Sequence, residues 1–258
     1  MNHFVKFFTP FIVLMSINNF TNAATSDGKN LSASIGWMHI MPQGKEQNIS
    51  GDALGNPTFS PNAGFKIDDG DAFAILLDYY VNDNVSLEFV GGYPPKMEIL
   101  GKGKALDDMV DLGKLGVVGD VDAYTPALLA KYQFGDKDSI FRPFVGGGIM
   151  YAHFSDFTLK NGVNESLTNQ LNLGGLEIQN VKIEDAVAPI VTIGADYNFN
   201  KSWFATASVS YAHLKTKASL DIKGTSGIAS WFDQPVVKGN STIEINPIVT
   251  YLGIGYKF

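Results

Sequence analysis

The chain has 258 residues, of which 45% are hydrophobic and 17% are charged, which is enough for one sizeable domain or two small ones. It contains no cysteine, so disulfides and thiolate metal sites are excluded. The formal net charge of −7 argues against a nucleic-acid partner, because such binding depends on basic patches that neutralise phosphate.

The first segment of the chain has the features of an export signal. A basic, acid-free start precedes an apolar run at residues 7–17, and the polar segment that follows has the small residues Thr21 and Ala23 at the −3 and −1 positions of a cleavage site. The run contains Pro10 and is shorter than the ~20 apolar residues that a membrane-spanning helix needs. We therefore expect residues 1–23 to be a cleaved signal peptide and residues 24–258 to form a transmembrane β-barrel domain.

Eight segments with alternating apolar residues follow the signal, each about ten residues long. They are predicted as strands at residues 32–40, 71–81, 85–93, 122–134, 142–154, 186–199, 203–214 and 242–258. The connections alternate strictly between long and short, as in outer-membrane barrels with short periplasmic turns and long outer loops. A soluble β-sandwich, the other architecture considered, gives no reason for this alternation. The sequence predicts an all-β, eight-stranded antiparallel, up-and-down transmembrane barrel with long extracellular loops.

The last strand ends the chain on aromatic residues. Apolar side chains alternate from Leu252 onward, and Tyr256 and Phe258 close the series. Aromatic residues of this kind lie at the membrane edges of a barrel. The ending also resembles the signal by which the barrel assembly machinery recognises its substrates, so we predict that Tyr256 and Phe258 form an assembly signal.

Several stretches together resemble the OmpW family of small outer-membrane proteins. The residues that carry the resemblance are 77–88 (LDYYVNDNVSLE), 125–135 (TPALLAKYQFG), 141–149 (FRPFVGGGI), 193–197 (IGADY), 200–203 (NKSW) and 255–258 (GYKF). The resemblance spans predicted strands 2 to 8, whereas strand 1 and the long loops match poorly. It implies a barrel in the bacterial cell outer membrane and a passive pathway for small hydrophobic molecules across the lipopolysaccharide layer.

The alternation within each strand also assigns the side chains that face the lumen. Six of these are charged, three acidic and three basic, and all lie near a short turn or the chain end: Asp78, Glu88, Lys131, Arg142, Asp196 and Lys257. Charges in a narrow lumen must be paired and hydrogen-bonded. We therefore predict a polar lumen plug, formed by these six residues, in the periplasmic half of the barrel.

Other inward-facing side chains are apolar. They are Leu129, Phe144, Met150, Phe154, Ile190 and Val249. An eight-stranded barrel holds little more than its own side chains or one small ligand. The sequence predicts an apolar pocket open towards the loops, and ordinary filling of the barrel interior is the alternative interpretation.

Prolines mark one junction between neighbouring strands. Pro94 and Pro95 end predicted strand 3, and Pro126 lies at a similar height in predicted strand 4. Proline has no N–H for the ladder of strand hydrogen bonds, and the small Gly91 and Gly92 lie just below. We predict a lateral gate at this junction, through which a hydrophobic solute leaves the lumen sideways. The alternative is that the prolines only terminate the strands.

The histidines are the candidate residues for catalysis and metal binding. His39, His153 and His213 belong to predicted strands that are not neighbours, so they are not expected to share a metal ion. His153 and Ser155 have the His-x-Ser spacing of outer-membrane lipid A deacylases, but the surrounding motif of those enzymes is missing. We therefore expect no catalytic residues, no metal and no cofactor, and we place the histidines in the interfacial aromatic belt.

These features lead to one functional hypothesis and one alternative. The hypothesis is an outer-membrane channel for passive uptake of small hydrophobic molecules, with lipid, lipopolysaccharide and the barrel assembly machinery as partners and no nucleic acid. The alternative is a non-transporting surface protein whose loops bind a receptor, another partner or lipopolysaccharide. Acidic clusters at residues 68–71 and 107–108 could hold cations with lipopolysaccharide or be solvated loop charges.

Overall fold

The computed structural model describes residues 25–44, 48–61, 63–106, 108–172, 174–232 and 234–258. The predicted signal peptide at residues 1–23 lies outside these ranges. No helix among the described residues is long and apolar enough to span a membrane.

The described residues fold almost entirely into strands. In chain order these are β1 (Leu31–Met41), β2 (Ile49–Ala53), β3 (Asn56–Ser60), β4 (Gly64–Ile67), β5 (Gly70–Tyr80), β6 (Val85–Gly92), β7 (Lys96–Lys102), β8 (Lys104–Ala105), β9 (Val110–Asp111), β10 (Val117–Tyr124), β11 (Ala127–Gln133), β12 (Phe141–Leu159), β13 (Leu176–Ile183), β14 (Ala186–Asn198), β15 (Trp203–Ala212), β16 (Lys215–Gly224), β17 (Val237–Glu244) and β18 (Ile248–Lys257). The helix α1 (Val163–Leu171) and two 3-10 turns, Leu112–Leu115 and Gly227–Trp231, lie between them.

Eight strands close into a barrel whose neighbours are all antiparallel. Their order around the wall is β1, β5, β6, β11, β12, β14, β15 and β18, and β18 returns to β1. Each strand therefore pairs with the next one in an up-and-down path. The predicted eight-stranded antiparallel barrel is confirmed.

The outside of the wall is apolar. Exposed large hydrophobic side chains include Ile35, Phe73, Ile75, Leu128, Ile149, Val191, Ile193, Leu252 and Ile254. Aromatic rings form a girdle near the short turns, comprising Tyr132, Phe134, Tyr197, Phe199, Trp203, Tyr256 and Phe258. Soluble proteins rarely expose so continuous an apolar surface, so this band is the part of the wall that faces lipid.

Two predicted strands are each divided in the structure. The predicted strand 122–134 breaks between β10 and β11 at Pro126, and the predicted strand 242–258 breaks between β17 and β18. At the second break Asn246 has a positive φ of 41° and precedes Pro247. Proline cannot donate to the ladder and restricts the residue before it, which explains why alternation continues in sequence while the strand does not.

The four long connections predicted between the barrel strands are present, and they contain further strands. A five-stranded sheet forms in the order β13, β16, β17, β2 and β3, while β10, β7 and β4 extend in turn from the far end of β12. In β16, the inward side chains Thr216, Ala218, Leu220 and Ile222 alternate with polar ones. The period-2 pattern is thus present in segments predicted as loops.

The buried apolar side chains form two main clusters stacked along the barrel axis. One fills the loop-end half of the barrel, around Leu129, Met150 and Ile190. The other lies between the five-stranded sheet, α1 and β10, around Leu167 and Ile222. Phe65 packs against both clusters, so the apolar interior continues from the barrel into the structure above it.

Candidate functional site

A buried ion cluster crosses the lumen in its turn-end half. The Lys131 Nζ atom lies 2.7 Å from Asp78 Oδ1 and 2.6 Å from Glu88 Oε2. The same ammonium group lies 4.7 Å from the centre of the Phe144 ring. Strands β5, β6 and β11 are neighbours in the wall, and their register places these three charges on one inward face. One lysine therefore bridges two carboxylates in a part of the lumen closed to solvent.

The other three predicted plug charges are also buried but have different partners. Arg142 Nη2 donates to the Asp83 carbonyl oxygen at 2.6 Å, and Lys257 Nζ donates to Asn198 Oδ1 at 2.8 Å. Asp196 Oδ2 accepts a 3.2 Å hydrogen bond from Gln133 Nε2. The expected matching of three acids with three bases is therefore wrong in detail, because backbone and amide oxygens replace carboxylates as partners of Arg142 and Lys257. The six predicted side chains nevertheless lie together in the turn-end half.

The segment 25–30, here called the strap, lies across the turn end of the barrel. The Ser26 N–H donates to Asp83 Oδ1 at 2.8 Å in the first short turn, and Asp27 forms an ion pair with Lys137 in the second. Lys29 Nζ donates to Ser202 Oγ at 2.5 Å in the third turn. Although partial burial opposes the change, Lys137 lowers the pKa of the Asp27 carboxyl. The strap thus ties all three short turns together below the plug.

An apolar chamber of about 70 Å³ lies directly above the ion cluster. Five of the six predicted pocket residues line it, namely Leu129, Met150, Phe154, Ile190 and Val249. Glu88 and Tyr251 also face the chamber, and the Tyr251 hydroxyl is 3.1 Å from Ser34 Oγ. The chamber therefore has apolar walls and a polar floor made by the top of the plug.

Phe144 is the exception among the predicted pocket residues. Its ring lies below the chamber, beside Lys131 and against the backbone of Gly194, where any larger side chain would collide with it. Parity predicted its inward direction but not its height. Sequence reasoning also missed chamber residues such as Met38, on β1, and Met97, on β7. Met38 follows the alternation of its strand and could have been found, whereas Met97 lies in a segment predicted as loop.

A second apolar cavity, of about 100 Å³, lies in the structure beyond the barrel. Its lining comes from β10, α1 and the inner face of the five-stranded sheet, including Val118, Leu167 and Ile222. Ile99 and Ile243 line this upper cavity and also belong to the apolar cluster inside the barrel. The upper cavity and the chamber are therefore parts of one apolar interior.

The wall beside the chamber contains a stretch in which β6 and the strand that follows it in the wall, β11, are not paired with each other. The β6–β11 ladder runs from Val85 and Tyr132 up to Val90 and Ala127 and then stops. Contact resumes where the Ala123 N–H donates to the Pro95 oxygen at 3.2 Å. We call the intervening residues, 91–94 and 124–126, the seam.

The chamber reaches this seam. Its lining residues include Val90 and Ala127, which bound the seam below, and Ala123 and Thr125 on the other strand. Gly91 and Gly92 of the predicted gate remain paired with β5, so only their β11 side lacks a partner strand. The seam is therefore a local loss of one ladder in an otherwise continuous wall.

The prolines of the predicted gate do not act alike. In an antiparallel ladder the N–H and C=O of one residue point to the same neighbour. The Pro126 oxygen accepts from the Tyr151 N–H at 2.9 Å, so its missing N–H lies on the β12 side rather than at the seam. The Tyr93 N–H points to Phe73 on β5, which leaves Pro94 facing the seam. Pro94 is thus the proline of the predicted gate whose missing N–H lies on the seam side.

Two histidines take part in interfacial hydrogen bonds near the loop end. His39 Nδ1 is 2.8 Å from Asp71, and His153 Nδ1 is 2.7 Å from Asp185. The Tyr151 hydroxyl donates to Asp185 at 2.5 Å, and this bond lowers the pKa of the Asp185 carboxyl. The His39 ring stacks on Trp37, and the His153 ring stacks on Tyr151. Among the described residues, no group of three or more His, Cys, Asp or Glu side chains could hold a metal ion.

The predicted assembly signal lies at the turn-end girdle. The Tyr256 and Phe258 rings are 5.1 Å apart, and Tyr256 also contacts Trp203 at 5.1 Å. The Phe258 N–H donates to the Leu31 oxygen at 2.8 Å, which pairs the last residue with the first barrel strand. The Phe258 ring itself is exposed on the outer surface.

Comparison with known proteins gives consistent matches. The model of the OmpW family matches residues 30–258. Outer membrane protein W of Vibrio cholerae is 32% identical over 189 residues, which are 71% of this chain and 72% of that protein. Outer membrane protein AlkL of Ectopseudomonas oleovorans is 28% identical over 211 residues, 82% of this chain and 74% of that protein. The crystal structure of outer membrane protein OprG from Pseudomonas aeruginosa has the same fold, with a TM-score of 0.68 and 24% identity over 89% of this chain and 96% of that one.

Proposed function

The chain belongs to the OmpW family of bacterial outer-membrane barrels, and on that premise we propose that it admits small hydrophobic molecules into the cell by passive uptake. Its short turns, with the strap, face the periplasm, and the five-stranded sheet faces outward. The solute passes from the upper cavity to the chamber and from there sideways through the seam into the bilayer.

The observation that carries the proposal is the position of the chamber between a closed floor and an interrupted β6–β11 ladder in the wall. Below the chamber, buried charges and the strap oppose the passage of an apolar solute, because such a solute cannot replace their hydrogen bonds. Beside it, the seam lacks the β6–β11 ladder. A lateral exit lets the solute remain in apolar surroundings throughout.

The upper cavity supports the outer part of the route. Lipopolysaccharide makes the outer surface polar, so a hydrophobic solute gains free energy on leaving that layer for an apolar cavity. The upper cavity and the chamber share an apolar interior, around Ile99 and Ile243, that continues into the barrel. Small side-chain movements between them would allow passage without exposing the solute to the charged floor.

The alternative is a non-transporting surface protein whose outer structure binds a partner. The two proposals make different demands on the interior, because a surface protein needs neither chamber nor seam.

We further propose that residues 1–23 are removed on export and that the barrel assembly machinery inserts the mature chain through its terminal strand. No step of the proposal involves catalysis.

The function is tested by uptake and conductance in the same strain. Cells that lack the protein, with intact lipopolysaccharide, should take up a small hydrophobic probe such as naphthalene more slowly than complemented cells. Purified protein in planar bilayers should show little ionic conductance, because the floor is closed. Equal naphthalene uptake with and without the protein would reject the transport proposal in favour of a surface role.

A further inference from the structure

The outward face of the five-stranded sheet carries a polar groove that the transport route does not use. The groove has a volume of about 750 Å³ and is lined by Ser, Asn, Thr, Lys and Glu side chains. Its opposite, inward face forms part of the apolar upper cavity. The two faces of one sheet therefore present different chemistry, polar outside and apolar inside.

A row of hydrogen-bonding side chains crosses this outward face. Strand register aligns Lys182, Ser219, Asn240, Ser50 and Phe59, one from each strand of the sheet. Since neighbouring strands are about 4.8 Å apart, the row is about 19 Å long. The Phe59 side chain at its end is 60% exposed. The row thus combines hydroxyl, amide and ammonium groups with one open aromatic ring.

A parallel row nearer the membrane adds charge. Lys217 lies opposite Thr242, and Lys215 forms a 2.6 Å ion pair with Glu244. Among the described residues Lys217 lines the groove and forms no salt bridge, whereas Lys182 interacts with the charge of Asp185. Lysine ammonium groups bind phosphate as point charges.

These groups match a phosphorylated saccharide. Hydroxyl and amide side chains donate to and accept from sugar hydroxyls, and carboxylates such as Glu184 accept from them. The C–H face of a sugar ring packs on an exposed aromatic ring such as Phe59, which provides apolar area with a defined geometry. The lysines would meet the phosphate groups.

The position of the groove indicates where such a saccharide would come from. Strand β13 leads directly into β14, β16 follows β15, β17 leads into β18, and β2 follows β1, so the sheet stands on one side of the barrel just above its outer rim. In the barrel order, β15 and β18 lie opposite the β6–β11 seam. At this height, on the membrane-facing side, the neighbour of an outer-membrane protein is the saccharide of lipopolysaccharide.

We propose that this groove binds the phosphorylated core saccharide of lipopolysaccharide, on the wall opposite the seam. The protein then binds one glycolipid on the side of the barrel opposite the seam, while the seam side remains accessible to the solute. The inference does not depend on transport, because the groove lies outside the apolar route.

The test compares two glycolipids as probes for the purified full chain. One is rough lipopolysaccharide with a complete core, and the other is lipid A without the core saccharide. A few hydrogen bonds of ordinary strength should make the complete-core form bind about tenfold more tightly than lipid A. The triple variant Lys217→Ala, Ser219→Ala and Asn240→Ala should lose this preference, and Phe59→Ala should reduce it.

A matched control removes three exposed polar side chains from the seam side. The variant Lys96→Ala, Glu98→Ala and Lys102→Ala changes β7, far from the groove, and should keep the wild-type preference. Equal binding of the two glycolipids by the wild type would overturn the proposal. So would a preference that the groove variant retains or that the control variant loses. Naphthalene uptake by the groove variant should match the wild type, which separates this test from the transport proposal.

Discussion

Glu88 Oε2 lies 2.6 Å from the Lys131 Nζ atom, and Glu88 also lines the apolar chamber. This ion pair is therefore the boundary between the polar and apolar halves of the lumen. The account of function depends on that boundary, because a closed floor directs an apolar solute towards the wall.

The first prediction concerns the bridge itself. Lys131→Met leaves Asp78 and Glu88 buried without their cation, which should destabilise the barrel by roughly 3–5 kcal/mol. Adding Asp78→Asn and Glu88→Gln removes the uncompensated charges and should restore most of the stability. Thermal unfolding in detergent measures both variants. The exposed turn residue Lys201 gives the control, since Lys201→Met should melt like the wild type. Unchanged melting of the single variant would show that the cluster does not act as a paired plug.

The second prediction concerns the strap. Asp27→Ala with Lys29→Ala removes its contacts to the second and third turns, so small-ion conductance in planar bilayers should rise. Melting should change little, because the strap contacts are only partly buried and ion pairs at a protein surface contribute about 0–1 kcal/mol. Lys201→Ala, in the third turn, serves as the control. If the double variant conducts no better than the wild type, the strap does not contribute to the seal.

The strap should also respond to acid. Because the folded-state pKa of Asp27 is lowered, its contribution to stability is present above the ordinary Asp pKa of about 4 and is lost as pH falls through the folded-state value. Conductance of the wild type should therefore rise at strongly acidic pH on the periplasmic side. The Asp27→Ala variant should lack this pH dependence, and an identical pH profile in both proteins would argue against it.

The sequence predicted the barrel wall more completely than it predicted the sheets above the barrel. Alternation gave the barrel strands and the inward direction of Asp78, Lys131 and Met150, because one buried face fixes register. The alternation in β13 and β16 did not lead to a strand prediction, because the sequence does not show that these two segments pair with each other in a second sheet. The alternation of side chains also does not tell how far along the barrel axis a residue lies. Phe144 is therefore predicted in the pocket, whereas it lies beside Lys131. The different roles of Pro94 and Pro126 depend on which neighbour each backbone faces, and a single sequence does not contain that information.

A third prediction tests the terminal aromatic residue. Phe258→Ser should lower the amount of heat-modifiable, folded protein in the outer membrane, because the last residue is expected to take part in recognition by the assembly machinery. Phe199→Ser is the matched control, since Phe199 is an exposed ring of the same girdle but is not terminal. Equal folded yields of the two variants would remove the special role of the chain end.

A fourth prediction follows from the direction in which Pro94 faces. Pro94→Ala supplies the missing N–H at the seam, and one additional ladder hydrogen bond should reduce the open fraction, and with it naphthalene uptake, by about two- to tenfold. Pro189→Ala is the control, because Pro189 lies in β14 where pairing continues past it. Amide hydrogen exchange would report whether the β6–β11 ladder has lengthened. Wild-type uptake by a variant with a lengthened ladder would contradict a lateral exit.

The most direct test maps where a solute contacts the protein. A small hydrophobic probe that carries a photoreactive diazirine would be crosslinked in membranes, with and without excess naphthalene, and the labelled peptides would be identified. We predict competed labelling at the chamber and seam, on Met97, Thr125 and Met150, and none on the floor around Asp196 and Lys257. Competed labelling of the floor without labelling of the seam would contradict it, because the solute would then pass through the lumen into the periplasm.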